Sequence, residues 1–335
     1  MTTASYPASG VFSKLLIKSG LPPYTWTAAT RYDIIAEPAE TFQKHSRIIE
    51  ARGITGGLHP LKSRVRTGPG LVFGSFRLHP SIGTLKSLMP FLMGSLGVYP
   101  AEVIYTPDRC LATFGALMLR DLDLWEYQSG VVAAWELTGT KADFQASSGQ
   151  DIPNETGSSL LLLKINVIFL EEVSPLAAVP PTWPDPEPAL QITREYAPLS
   201  FVDTSGTITM SGASREVYGF RLKYDNRIDP ALVNALSLKT LTCPGRRVDF
   251  DVILPWQANN QNLYDEAVTG AAASLKVGYN DGGGDSSVQF DLMNMKQDEA
   301  SSPNVNDYGD VAFEVSGRAY GTANEQEISA TVVIS

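Results

Sequence analysis

The sequence predicts a mainly β protein: two tandem copies of a β-sandwich or barrel domain, each with a flanking short helix. Three observations carry that expectation. A proline-rich stretch from Ser174 to Ala189, SPLAAVPPTWPDPEPA, divides the 335 residues into halves of similar size. The same landmarks recur in the same order on either side of it. Apolar and polar residues alternate through several short runs, the period of a strand with one buried face.

Length agrees with two domains, since 335 residues exceed the usual size of one core. With 43% hydrophobic and 19% charged residues, the chain is ordinary for a globular protein and too apolar for a disordered one. The expected boundaries are a first domain over 1–173, a linker over 174–189 and a second domain over 190–335. The linker holds six of the 22 prolines. Proline lacks an amide donor and fixes φ, so this stretch joins neither a helix interior nor a central strand.

In the first half Pro69-Gly70 is followed by the nine residues LVFGSFRLH and Pro80. A helical segment, SIGTLKSLMPFLMG, comes next. Ser81 is its expected N-cap, and Ile82, Leu85, Leu88, Met89 and Leu92 share one face. Pro90 should kink or shorten it. Then come Trp135-Glu-Leu-Thr-Gly139 and a strand burying Leu161, Leu163, Ile165, Val167 and Phe169.

The second half repeats the series. Pro244-Gly245 leads into RRVDFDVIL and Pro255, with Val248, Phe250, Val252 and Leu254 on the buried face. The helical segment is NNQNLYDEAVTG, with Asn260 as cap, Asp265 and Glu266 in its early turns, and Leu263, Ala267 and Ala271 aligned. Asn280 to Asp285 reads as a hairpin turn. Phe313-Glu-Val-Ser-Gly317 matches the earlier pentapeptide, and Ile328, Ala330, Val332 and Ile334 close the half. From Pro-Gly to pentapeptide the spacing is 66 residues in one half and 69 in the other. The strands after Pro-Gly align best with a one-residue slip. The pattern reads as an old internal duplication.

The net charge of −10 argues against a protein that gathers cations to bind nucleic acid. Acidity has two readings: a wall that lets DNA pass without sticking, or plain solubility. Cys110 and Cys243 make no disulfide framework and cannot alone hold zinc. The N-terminus lacks a signal-peptide pattern, and Lys164 and Asn166 interrupt the longest apolar run, Leu160 to Leu170. Folding in a cytosol, away from membranes, is expected.

Catalytic chemistry is not expected. The only histidines, His45, His59 and His79, lie outside any recognised catalytic setting, and G-x-S-x-G, HExxH, P-loop and GxGxxG motifs are absent. Asp203 to Gly206 reads as a tight turn. Asp281 to Asp285 lacks the acidic alternation and closing Glu of a calcium loop. No cofactor or metal is expected.

Charge is unevenly spread. Between Lys44 and Lys86 eight basic residues stand against Glu50, and between Asp281 and Asp310 seven acidic residues stand against Lys296. Complementary patches can register self-assembly; the alternative is two solvated loop regions. Candidate assembly residues are Arg52, Lys62, Arg64 and Arg66 on the basic side, and Asp281, Asp285, Asp298, Glu299 and Asp307 on the acidic side.

The second half, from Gly219-Phe-Arg-Leu-Lys-Tyr-Asp-Asn226 through RRVDFDVILP, LYDEAVTGAAASLKVGY, SVQFDLMNM and DVAFEVSG, resembles the tail-tube proteins of long-tailed bacteriophages. The first half carries the matching GSFRLHPSIGTLKSLMPFLMG. As a pattern the resemblance covers about two-thirds of the chain. It implies a β-sandwich with a flanking helix, rings built by edge-to-edge sheet extension, and a tube of stacked rings around a DNA-conducting lumen. It further implies a trimeric, pseudo-hexameric ring of duplicated chains. Implied partners are tape-measure, distal-tail and terminator proteins, and the implied location is the virion tail, assembled in the host cytoplasm. The lumen would be negative. Lys44 to Gly68 would be an arm or loop reaching a neighbouring ring, and the stretch before it, with Tyr24, Trp26 and Tyr32, an arm ordered on assembly.

Two other classes compete. A two-domain β-sandwich of a tail tip could bind carbohydrate or a cell surface, stacking sugars on Trp125, Trp135, Trp183 or Trp256. A hydrolase with an unrecognised site is the third.

Overall fold

The computed structural model describes residues 14–19, 32–34, 41–50, 65–93, 102–107, 113–120, 123–141, 160–173, 198–201, 207–231, 240–242, 245–269, 272–280, 286–300, 304–305, 311–321 and 326–333. These residues are mainly β, with one large sheet of 18 strands, a two-stranded ladder and two helices.

The first half supplies β1 (Lys14–Ser19), β2 (Tyr32–Ile34), β3 (Thr41–Glu50), β4 (Val65–Leu78), β5 (Glu102–Tyr105), β6 (Phe114–Arg120), β7 (Asp123–Thr140), β8 (Leu162–Phe169) and β9 (Glu171–Val173). The second supplies β10 (Thr207–Met210), β11 (Ala213–Ser214), β12 (Gly219–Asp225), β13 (Asp229–Ala231), β14 (Thr240–Thr242) and β15 (Arg247–Pro255). It continues with β16 (Ala272–Asn280), β17 (Ser287–Ala300), β18 (Asn304–Val305), β19 (Val311–Ala319) and β20 (Ile328–Val333).

One run of antiparallel neighbours reads β3-β4-β8-β7-β12-β15-β19-β17. Each half contributes four of its strands, and β7–β12 joins them. Two further runs branch from it. The first is β2-β1-β6-β7-β9. The second is β11-β10-β16-β17-β20, to which the first half adds β5.

The long strands β7 and β17 belong to two runs each. β7 pairs β9 through Glu126–Gln128 and turns to β8 from Val131. β17 pairs β20 through Ser287–Leu292 and turns to β19 from Met295. At each switch one residue holds positive φ, Ser129 and Asn294, both at 52°. A register shift follows each, between Val132 and Ala134 and between Gln297 and Glu299. An extra residue bends a strand and increases its twist, which is how one strand can serve two sets of partners.

The core lies between these runs. Phe42 of β3 sits 5.0 Å from Tyr127 in the first part of β7 and 5.6 Å from Phe169 of β8. Phe114 of β6 sits 5.5 Å from Phe169. The expected alternations are buried as read: Val248, Phe250, Val252 and Leu254; Ile328, Ala330 and Val332; and Leu161 through Phe169. Ile334 lies outside the described residues. The core continues across the junction of the halves, where Trp135 of β7 stacks on Tyr224 of β12 at 5.4 Å and 12°.

Helix α1 spans Ile82–Met93, and Ser81 caps it by accepting the Thr84 amide at 3.2 Å. Its expected apolar face is buried. Pro90 lies within it and the helix ends three residues later. Proline has no N–H to give the carbonyl four residues back. That carbonyl, on Lys86, instead accepts the Tyr105 hydroxyl of β5 at 3.3 Å. A last-turn carbonyl, on Leu92, accepts the Trp135 indole N–H at 3.2 Å. Helix α2 spans Gln261–Thr269. Asn260, the expected cap, immediately precedes it, but it is its backbone carbonyl that accepts the Leu263 amide, at 3.1 Å. Its side-chain amide donates backwards to Pro255 at 2.9 Å.

Three expectations need correction. Tyr32 is on β2, within the sheet, and not on an arm; Tyr24 and Trp26 lie outside the described residues. Within 44–68, the residues on β3 (44–50) and β4 (65–68) belong to a paired hairpin. Their basic side chains hide the pairing, because backbone hydrogen bonds make the hairpin and charge does not report them. Pro69 falls where the β3–β4 register shifts, a place where a strand tolerates a missing donor. The two matched pentapeptides also sit on strands in different places: Trp135–Gly139 on β7, between β8 and β12, and Phe313–Gly317 on β19, between β15 and β17.

Two stability predictions arise here. A Cβ on Gly317 would overlap the Lys296 carbonyl and the Phe250 ring. Gly317→Val should therefore cost about 2–3 kcal/mol and lower the thermal midpoint. An unchanged midpoint would mean that β17 and β19 separate freely. The Tyr279 hydroxyl is buried with no hydrogen-bond partner among the described residues, and burial pushes its ionisation well above the usual tyrosine range. A raised folded-state value means that stability is complete below the unfolded tyrosine pKa and declines above about pH 10. Tyr279→Phe should hold or raise stability at neutral pH by up to about 1 kcal/mol and reduce the alkaline decline, both readable by urea denaturation against pH.

Candidate functional site

The β7–β12 junction is a complete strand-to-strand joint between the halves. Seven registered pairs run from Thr140↔Gly219 to Ala134↔Asp225. Asn226 prolongs the joint, its amide donating to Ala133 at 2.9 Å and its side chain to Val132 at 2.8 Å. The core face carries Leu137 opposite Leu222 and Trp135 opposite Tyr224, all buried. The other face carries Glu136 opposite Lys223 and Thr138 opposite Arg221.

The two ends of the eight-strand run differ from this joint. Among the described residues β3 pairs β4 alone, and β17 from Gln297 onward pairs β19 alone. Among the described residues each therefore presents a row of backbone donors and acceptors with no second strand beside it, a template for another chain.

Of the candidate assembly residues, Arg66 is on β4 opposite Ile49 and Glu299 is on β17 opposite Ser316. Asp298 falls at the β17 register shift. Arg52, Lys62, Arg64, Asp281, Asp285 and Asp307 lie outside the described residues, although antiparallel pairing of Asn280 with Ser287 frames the expected 281–285 hairpin. Of the described candidates, Arg66 thus belongs to the β3–β4 end of the eight-strand run, and Asp298 and Glu299 to its β17 end. Lys44, His45 and Arg47 are on the β3 edge, and Asp298 and Glu299 on the β17 edge.

A feature missed by sequence reasoning lies on the sheet face opposite the core. Reading along hydrogen-bonded partners, one row runs Arg77-Lys164-Glu136-Lys223-Asp249-Arg318-Lys296, a charged residue on each of seven neighbouring strands. Alternation assigns each residue to the outer face, but only the register aligns them. The ion pairs around the row join Arg221 to Asp251 at 2.6 Å, Arg247 to Asp249 at 2.5 Å and Arg318 to Asp249 at 3.2 Å. Lys164, Lys223 and Lys296 are exposed and enter none of these pairs.

Of the tryptophans considered for sugar stacking, Trp135 is 1% exposed and therefore core. Trp125 packs against the core, and Trp256 meets Tyr264 and Phe313 edge to face; Trp183 lies outside the described residues. Among the described residues no group of three or more His, Cys, Asp or Glu could hold a metal ion, and no helix is long and apolar enough to cross a membrane. Neither a scan against protein-family models nor a search of curated proteins gave a match.

Proposed function

We propose that this chain is a duplicated tail-tube subunit, a non-catalytic structural protein that assembles edge to edge into rings and stacked tubes conducting DNA in a bacteriophage tail. The observation that carries the reading is the β7–β12 joint, which already extends one four-strand set by the first strand of the next.

Duplication is supported strand by strand. The order β3-β4-β8-β7 matches β12-β15-β19-β17. Ser129 corresponds to Asn294, and the register shifts after them correspond residue for residue. In this alignment β8, not the pentapeptide of β7, is the counterpart of β19. It also makes Gly74 opposite Val167 the counterpart of Phe250 opposite Gly317. Small and large have exchanged strands within this pair, Gly74 on β4 with Val167 on β8 against Phe250 on β15 with Gly317 on β19; Phe42 of β3 covers Gly74, and Phe250 covers Gly317. A short ladder extends beyond the pairing of the first two strands of each set: Ile48–Glu50 with Val65–Thr67, past the β3–β4 register shift, in one, and β13–β14 in the other. In this reading each copy is a β-sandwich with one helix, and these ladders reach the adjacent ring.

Ring closure repeats the internal joint between chains. Carried over to β17 and the β3 of a second copy, the β7–β12 register sets Glu299 opposite His45 and Ala300 opposite Lys44. Acidic edge then meets basic edge, which favours this docking over the reverse. Three chains of eight strands each would close a barrel of roughly 24 strands. Electron microscopy of the purified protein at rising concentration tests the reading. Rings or tubes with three chains per ring are expected; a monomer at every concentration, with or without preformed tube ends, would reject it.

A further inference from the structure

We infer that the seven-residue charged row on the outer sheet face is a contact line for the phosphate backbone of duplex DNA. The row contains five basic residues, Arg77, Lys164, Lys223, Arg318 and Lys296, and two acidic ones, Glu136 and Asp249. It is net basic in a chain whose net charge is −10. The acidity of the protein therefore does not extend to this line.

Two features of the row serve a ligand better than they serve the sheet. Like charges directly opposite each other destabilise a strand pair. Arg77 faces Lys164, and Arg318 faces Lys296, at the two ends of the row. Asp249 already offsets Arg318 at 3.2 Å, so in each pair it is the exposed lysine, Lys164 or Lys296, that meets an anion. Secondly, the arginines are neutralised internally, Arg221 on Asp251 and both Arg247 and the row's own Arg318 on Asp249, while three row lysines remain exposed. The row extends about 29 Å at about 4.8 Å per strand, long enough to meet several phosphates. Glu136 and Asp249 interrupt it, so contact is weak and salt-dependent, as suits a polymer that must slide past. The reading as a tube subunit supplies only the reason that DNA reaches this face; the affinity belongs to the face itself.

The test is anisotropy titration of a fluorescent duplex of about 20 base pairs with the full chain, from about 20 to 200 mM salt. Wild type should bind at low salt and release as salt rises. Lys164→Glu with Lys223→Glu should weaken low-salt binding by roughly tenfold or more and flatten the salt slope by about two. Glu136→Gln should tighten binding. Circular dichroism should show both variants folded, since these side chains are outside the core. No low-salt binding by wild type, or equal binding by the folded double variant, would overturn the inference. Ring formation is scored separately by microscopy, so failure to assemble and failure to bind DNA are distinct results.

Discussion

Replacing Trp135 with alanine is expected to destabilise the protein by about 3–5 kcal/mol, the range for deleting a large buried aromatic. The side chain is fully buried, stacks on Tyr224 at 5.4 Å and meets Phe290 at 5.9 Å. Its loss opens a cavity where the two halves share one core. It also strips the Leu92 carbonyl of its indole donor at the end of α1. Trp135→Phe should recover most of the packing but not that hydrogen bond, leaving a deficit of about 1–2 kcal/mol. Chemical denaturation followed by far-ultraviolet circular dichroism reads both. If alanine cost less than about 1 kcal/mol, the halves would not be coupled through this junction.

The second large effect concerns assembly. Lys44→Glu with Arg47→Glu places acid on β3 against the acid of β17. Asp298→Lys with Glu299→Lys does the converse. Either double variant should weaken association roughly 10–100-fold, about 1.4–2.7 kcal/mol, while each chain stays folded. Mixing the two double variants creates joints of opposite charge between the altered edges, so mixed assemblies should form more readily than either variant alone. Sedimentation over a dilution series measures all three. Equal association by all variants would place the contact elsewhere.

Much of the fold was legible because strand periodicity is local. Val248 through Leu254 and Leu161 through Phe169 announce their buried faces without knowledge of any partner. The cap at Ser81 was legible for the same reason, since a hydroxyl reaches an amide three residues on. What stayed hidden depends on pairing. Trp135–Gly139 and Phe313–Gly317 look alike because both alternate apolar and polar residues, yet they occupy different strand positions. The better correspondence, Ser129 with Asn294, involves unlike residues united by a backbone conformation. The charged row was hidden too, because its seven members are scattered from Arg77 to Arg318 and meet only through register. Basic residues of β3 read as an arm because an edge strand with one partner carries charge where a central strand would not.

The account rests on one claim, that the internal β7–β12 joint is repeated between chains. Paired cysteines test it most directly: Ala300→Cys with Lys44→Cys, in a background where Cys110 and Cys243 are serine. Mild oxidation of assembled protein should give covalent dimers and then closed trimers, with no larger ladder and no cross-link in either single variant. Chains that remain monomers after oxidation, or an open-ended ladder without a trimer stop, would contradict a three-chain ring built on that register.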